Sequence, residues 1–196
     1  MINTLNIKKI KSYLSTSSNN ISLLSESCSD SIDKFAENIL KALSSGKKIL
    51  FCGNGGSAAD SQHIAAELVG RYKKNRDAIS AIALTTDTSI LTAVANDFGY
   101  ENIFSRQIEA LGVKGDILVA ISTSGNSKNI INAVNTAKRQ KLSVLGLTGK
   151  DGGFLKQISD LCICVPSDEV NHIQEMHITI GHLVCSLIEE NFNINS

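Results

Sequence analysis

Apolar positions follow two different rhythms along this chain, and the change comes near residue 47. Before it, in "DSIDKFAENILKALSSG", Ile32, Phe35, Ala36, Ile39, Leu40 and Leu43 recur at helical spacing, which gathers them on one helix face. Ser29 or Asp30 stands where it can cap the start of that helix, and Gly46 where it can stop it. The stretch ahead carries Leu5, Ile10, Leu14, Ile21, Leu23 and Leu24, and a Ser/Asn-rich run at 15–20 interrupts it. The pattern therefore predicts N-terminal helices with a break between them. With no sheet of its own, this front segment has to bury its apolar faces on the rest of the chain or on another subunit.

After residue 47, short apolar runs alternate with helical patterns. The runs are "KILFC" (48–52), "ISAIALT" (79–85), "DILVAIS" (116–122), "SVLGLT" (143–148) and "LCICV" (161–165). Each is nearly continuous in apolar character, as in strands covered on both faces. Helical patterns fall at about 57–71, 88–96 with 101–112, 127–140, 152–158 and 169–191. Such alternation predicts an α/β three-layer sandwich: a central five-stranded parallel sheet, helices on both faces, right-handed crossovers. Residues 1–46 read as a helical segment and 47–196 as one α/β domain. Ligands of such sheets collect at the carboxyl ends of the strands, which directs attention to the loops after Cys52, Thr85 and Ser122.

Composition narrows the class. Among 196 residues 42% are apolar and 19% charged, a globular balance. Nineteen basic and 19 acidic side chains cancel, which argues against a nucleic-acid partner; Arg71 to Arg76 read as a solvated helix end. No run approaches a membrane span and the first residues lack a signal-peptide pattern, so the expectation is a soluble, cytoplasmic protein with no membrane partner. Five cysteines without a C-x-x-C pair fit reduced thiols. Cys162 and Cys164, flanking Ile163, read as small core hydrophobes rather than metal ligands.

Two loops carry candidate chemistry. "STSGNSKN" sets Ser122, Thr123, Ser124 and Ser127 around a glycine just before a helix. A helix N-terminus offers unpaired N–H groups and the positive end of a dipole, so a phosphate can bind there without Arg or Lys. The same residues equally make a Ser-rich turn with an N-cap. "GNGGSAAD", from Gly53 to Asp60, is neither G-x-G-x-x-G nor a Walker-type loop, so no nucleotide cofactor is expected. It remains a glycine-rich turn with Asn54 and Ser57 as polar fingers. Together the loops suit a ligand with one anionic end and several hydroxyls.

His63 and Glu67 stand four residues apart on one helical face; alone, such a pair is most often a surface pair. The last helical pattern, "VNHIQEMHITIGHLVCSLIEE", adds His172, Gln174, Glu175, His177 and His182. Gln174, Ile178 and His182 share one side of that helix. A second polar face of this type suggests a buried polar pocket. Two imidazoles, a carboxylate and an amide oxygen are also within the chemistry of zinc, although the amide is unusual.

The segments "CGNGGSAADSQHIAAELVGRY", "ANDFGYENIFSRQIEALG", "DILVAISTSGNSKNIINAV", "LTGKDGG" and "IQEMHITIGHLV" together resemble phosphoheptose isomerases of the sugar isomerase (SIS) fold, a flavodoxin-like architecture. The resemblance runs from about residue 2 to 192 with every motif in order. It implies interconversion of D-sedoheptulose 7-phosphate and D-glycero-D-manno-heptose 7-phosphate, feeding bacterial heptose synthesis for lipopolysaccharide or capsule. It implies that Ser122, Thr123, Ser124 and Ser127 bind phosphate. Asn54, Gly55, Gly56, Ser57, Asn96 and Asp97 would line the sugar site, with Glu67 and Gln174 also touching substrate. Glu67 and His182 would take the acid–base roles. His63, Glu67, Gln174 and His182 would ligate one zinc per subunit. The resemblance also implies a homotetramer with sites between subunits and N-terminal helices in the contacts.

An aldose–ketose isomerase moves a proton between C1 and C2 through a cis-enediol, which needs a base at carbon and a partner at oxygen. Glu67 suits the first role and His182 the second; zinc ligation would compete with Glu67 as a base. Two rival readings stand beside this one. One is a non-catalytic SIS protein that binds a replication initiator, and the other an isomerase of a different sugar phosphate.

Overall fold

The computed structural model describes residues 6–192. Its strands are β1 (Ile49–Cys52), β2 (Ala81–Ala83), β3 (Ile117–Ile121), β4 (Ser143–Gly149) and β5 (Leu161–Val165). Its helices are α1 (Ile7–Ser44), α2 (Gly56–Val69), α3 (Thr88–Phe98), α4 (Ser105–Leu111), α5 (Lys128–Arg139), α6 (Gly153–Ile158) and α7 (Val170–Asn191), with a 3₁₀ turn at Tyr100–Asn102. All strand pairings are parallel, in the order β2-β1-β3-β4-β5. The expected three-layer α/β sandwich is what the chain adopts. This strand order turns at β1 and β3, and the crevice between their carboxyl ends is where such sheets bind ligands.

Alternate strand residues face opposite sides, so the sheet divides two cores. Ile49, Phe51, Ile117, Val119, Leu145, Leu147 and Ile163 pack with α1, α2 and α7. Leu50, Cys52, Leu118, Ala120 and Val144 pack with α4, α5 and α6. All nine residues of β1 and β3 are buried, which is why those runs read as continuous apolar strings. The edge strand β2 is shorter than its run. Ile79 and Leu84 are buried beyond its ends, but the Ile79 N–H donates to the Leu68 carbonyl in α2. At its other end the Leu84 N–H donates to the Phe51 carbonyl of β1.

The front segment corrects two expectations. Among the described residues α1 is a single 38-residue helix capped by Asn6, with neither a break at 15–20 nor a start at Ser29 or Asp30; Leu5 lies outside the described residues. The hydroxyls that suggested a break turn back on the helix instead. Thr16 donates to the Ser12 carbonyl and Ser17 to that of Tyr13, as Ser22 and Ser29 do further on to those of Ser18 and Ser25, a local bond that helix interiors tolerate. Ser17 also donates to Glu175 of α7 at 3.0 Å, and Tyr13 bonds the same carboxylate. Gly46 ends the segment as expected, with φ +70° and its N–H on the Leu43 carbonyl. The second half of α1 buries Phe35, Ala36 and Ile39 to 3% exposure or less, each large side chain adding about 1.5–3 kcal/mol. The first half leaves Ile7, Ile10, Tyr13 and Leu14 exposed.

The two thiols of β5 are a further correction. Cys162 and Cys164 are half-buried and belong to neither core. They point away from Ile163 and Val165, at the open edge of the sheet, against Thr148 of β4 and the loop at Gly152.

Candidate active site

The loop after β1 and the loop after β3 are held together by a reciprocal amide pair. The Asn54 amide donates to Asn129 Oδ1 at 2.9 Å, the Asn129 amide donates back at 2.8 Å, and the Tyr100 hydroxyl adds a third bond to Asn54 Oδ1 at 3.1 Å. Asn129 is buried, in the first turn of α5. Neither Asn129 nor Tyr100 was singled out from the sequence. Nothing local marks a pairing of side chains 75 positions apart.

Within the second loop, Ser122 is buried and its Oγ lies 3.1 Å from that of Ser127. Ser127 is the N-cap residue of α5 but makes no side-chain cap bond. Its hydroxyl is turned to Ser122, leaving the helix end to its own dipole. Ser124 Oγ accepts the Asn126 N–H at 3.2 Å, and Thr123 gives its carbonyl to the Gly149 N–H. Gly125 has φ +66°, and a methyl group there would run into the Gly152 carbonyl; only glycine lets the loop before α6 approach this closely. The first turn of α6 adds two bonds, Leu155 N–H to the Gly125 carbonyl at 2.9 Å and Phe154 N–H to Asn126 Oδ1 at 3.0 Å.

In the first loop, Gly55 takes φ +56° as N-cap of α2. Gly56 is exposed and Ser57 buried. A side chain on Gly56 would meet the Gln174 amide, so Gln174 lies against the N-terminus of α2. One step along, Gly181 of α7 admits Ile64 of α2. The two helices thus run side by side in parallel register.

That register brings His63 against His182. Their Nε2 atoms are 3.2 Å apart, and Glu67 Oε1 is 3.2 Å from His63 Nε2. One ligand atom from each of the three lies within 4.8 Å of the others. The Tyr72 ring stacks on His182, centroids 5.7 Å apart at 19°. The His63 side chain is 48% exposed and that of Glu67 24%, so the cluster faces outward from a single chain. Two imidazole nitrogens and a carboxylate oxygen converging on one point match zinc's usual N and O ligands.

Gln174 is not in this cluster. It is eight positions before His182 on α7, about 12 Å along the axis, with its amide held at Gly56. His63 and Glu67 lie seven and eleven positions beyond Gly56, about 10–16 Å down α2. One chain therefore carries the hydroxyl loop and the His/Glu cluster at different levels. Asn96 and Asp97 sit exposed on α3 and bond each other at 2.8 Å. Of the other α7 histidines, His172 is buried against Glu175, 3.0 Å away, and His177 is turned into the core.

A strap locks the end of α2. Glu189 of α7 accepts the backbone N–H groups of Tyr72, Lys73 and Lys74 at 2.8–3.0 Å and pairs with Arg76 at 3.1 Å. Arg76 in turn donates to the Glu67 and Leu68 carbonyls. Desolvation pushes the Glu189 carboxyl up, but the three backbone donors and the guanidinium together outweigh it and hold it at about 2. The strap sets both Tyr72 and the backbone of Glu67.

The SIS domain family matches residues 12–149 of this chain. A phosphoheptose isomerase of Akkermansia muciniphila is 60% identical over 158 residues, covering 81% of this chain and 84% of that one. One of Rhodospirillum rubrum is 53% identical over 163 residues, 83% and 87% of the two chains. Among solved structures, a phosphoheptose isomerase from Francisella tularensis superposes with a TM-score of 0.92 at 37% identity, over 96% of this chain and all of that one. One from Neisseria gonorrhoeae gives 0.89 at 41%, over 93% and 98%.

Proposed function

Because this chain belongs to the phosphoheptose isomerase family of SIS-domain proteins and is a sugar-phosphate isomerase, we propose that its reaction converts D-sedoheptulose 7-phosphate to D-glycero-D-manno-heptose 7-phosphate. That product would supply ADP- or GDP-heptose for lipopolysaccharide or capsule, in the cytoplasm and without a nucleotide cofactor. The observation that carries the reading is the meeting of Glu67 and His63 with His182, from helices 119 positions apart.

In the proposed reaction Glu67 takes a proton from C1 of the ketose and returns it to C2, while His182 carries hydrogen between O2 and O1. Ser122, Thr123, Ser124 and Ser127 hold the phosphate on neutral donors and the α5 dipole. Asn54, Gly55, Gly56, Ser57, Asn96 and Asp97 line the sugar, and the Asn54–Asn129 pair keeps the two loops in register. His63, Glu67 and His182 would hold zinc, one ion per subunit, which when bound supplies Lewis-acid polarisation of the sugar oxygens and competes with the role of Glu67 as a base. Within one chain Gln174 stands at Gly56, so it joins that set, or the substrate, across a subunit contact. This geometry supports a homotetramer with shared sites, as does the exposed apolar face of α1. The segment 1–46 would serve those contacts and 47–196 carry the chemistry. The alternative of a non-catalytic SIS protein that binds a replication initiator has no support among these relatives.

The test is direct. Purified protein given sedoheptulose 7-phosphate should form the aldose, monitored by NMR or a coupled assay. Glu67→Gln and His182→Gln should each lower kcat by about 10²–10⁴-fold with unchanged circular dichroism. Full activity in either folded variant removes that residue from the mechanism, and turnover of a different sugar phosphate alone removes the substrate.

A further inference from the structure

Cys162 and Cys164 project from the same face of β5, and both meet one hydroxyl. Thr148 Oγ1 donates to Cys164 Sγ at 3.2 Å and lies 3.7 Å from Cys162 Sγ. Both thiols are half-buried, unlike Cys28, Cys52 and Cys185, which are buried. The Cys164 sulfur is wedged against Gly152, where an added methyl carbon would stand 2.7 Å from it and 2.7 Å from Lys156 Cβ. Gly152 is the residue whose carbonyl packs on Gly125, at the centre of the 122–127 loop. Two successive backbone contacts thus connect the Cys164 sulfur to that loop, with no side chain between to absorb a displacement.

We infer that Cys164 is a modification site for hydroperoxides, with Cys162 as its resolving thiol, and that oxidation there loosens the 122–127 loop. The thiolate sulfur of Cys164 attacks the distal peroxide oxygen. An S–O bond forms, the O–O bond breaks, sulfur is oxidised by two electrons, and hydroxide (or alkoxide) leaves to take a proton from solvent. Cys162 then attacks the sulfenic sulfur, forming S–S, breaking S–O and releasing water. Residues i and i+2 of a strand are about 6.6 Å apart, near the outer end of disulfide spans. An edge strand paired only to β4 has room to pucker for it.

The electrostatics agree with this division of roles. The hydrogen bond from Cys162 comes first, then the Thr148 hydroxyl and the Lys156 charge, and together these outweigh desolvation and hold the Cys164 thiol below the ordinary thiol range. Its bond to Cys164 and then burial push Cys162 up. A thiolate beside a protonated partner is the reactive arrangement. An oxygen or sulfur added to Cys164 has to displace Gly152, and with it the contacts on Gly125 and Asn126.

The modification stands on this geometry; its effect on catalysis rests on reading 122–127 as the phosphate loop. The experiment treats the intact protein with a few equivalents of hydrogen peroxide and dimedone, then maps adducts by peptide mass spectrometry. Labelling at Cys164 should outpace that at Cys28, Cys52 and Cys185 by about tenfold or more. It should rise further in Cys162→Ser, where the sulfenic acid persists, and vanish in Cys164→Ser. Hydrogen exchange at 122–127 should quicken on oxidation in the wild type and stay constant in Cys164→Ser. Equal labelling of all thiols, or preferential labelling with unchanged exchange at 122–127, overturns the inference. Protection of the same amides by inorganic phosphate in the reduced protein tests the phosphate reading separately, so either idea fails without the other.

Discussion

His177 occupies the inner face of α7 at 1% exposure, with neither ring nitrogen hydrogen-bonded. It lines a cavity of about 20 Å³ together with Asp60, Ile64 and Gly181. Desolvation lowers its pKa to about 4 and raises that of Asp60 to about 6, the latter opposed by the charge of His63. The signs differ. The unfolded chain protonates His177 near its usual 6.5 and the folded one only near 4, so stability is full above about 6.5 and falls as pH drops towards 4. Asp60 takes its proton first in the folded state and works the other way between 6 and 3.8. His177→Leu should remove the first dependence, sparing roughly 2 kcal/mol of stability loss by pH 5. Thermal melts of both proteins at pH 7.5 and 5 check this; an equal drop in Tm for the two would refute it.

Element by element, the site depends on how α2 and α7 are clamped. Gly56 and Gly181 set their approach, and the Glu189 strap fixes the far end. Glu189→Gln leaves Arg76, 11% exposed, without its counter-charge, a change that costs about 3–5 kcal/mol in buried pairs. Lower Tm is expected, with a fall in kcat as Tyr72 loosens from His182 and the Glu67 carbonyl loses its donor. Wild-type stability from this carboxylate is full above its ordinary pKa of 4.5 and is lost as pH falls towards about 2. The variant should therefore melt with a flatter acid limb. Unchanged kcat in a folded Glu189→Gln protein would limit the strap to stability.

At the scale of the whole molecule, the described residues include no helix long and apolar enough to cross a membrane. They do include an α1 whose first half has Ile7 at 66% and Leu14 at 61% exposure. Such a row of exposed apolar side chains is what a protein contact covers, and the proposed assembly predicts that further copies of the chain cover this one. Leu14→Glu should weaken assembly by tenfold or more in dissociation constant, about 1.4 kcal/mol, read by sedimentation or light scattering. Loss of activity should accompany the loss of assembly. A fully assembled variant would show that this face is not a contact.

Much of this protein was legible in local pattern. Periodicity marked the change from helical face to buried strand, and the turns around Gly55 and Gly125 announced themselves because positive φ and close approach demand small residues. Hydroxyls were misread in α1, where back-bonding and Glu175 absorb them, and thiols in β5, because alternation reveals two faces without saying which one is covered. Tertiary structure alone decided that His63 meets His182, that Asn54 pairs with Asn129, and that Gln174 stops at Gly56. Spacing along one helix specifies a face, but the register between two helices is set by where their backbones touch, and those contacts join residues that no local pattern links.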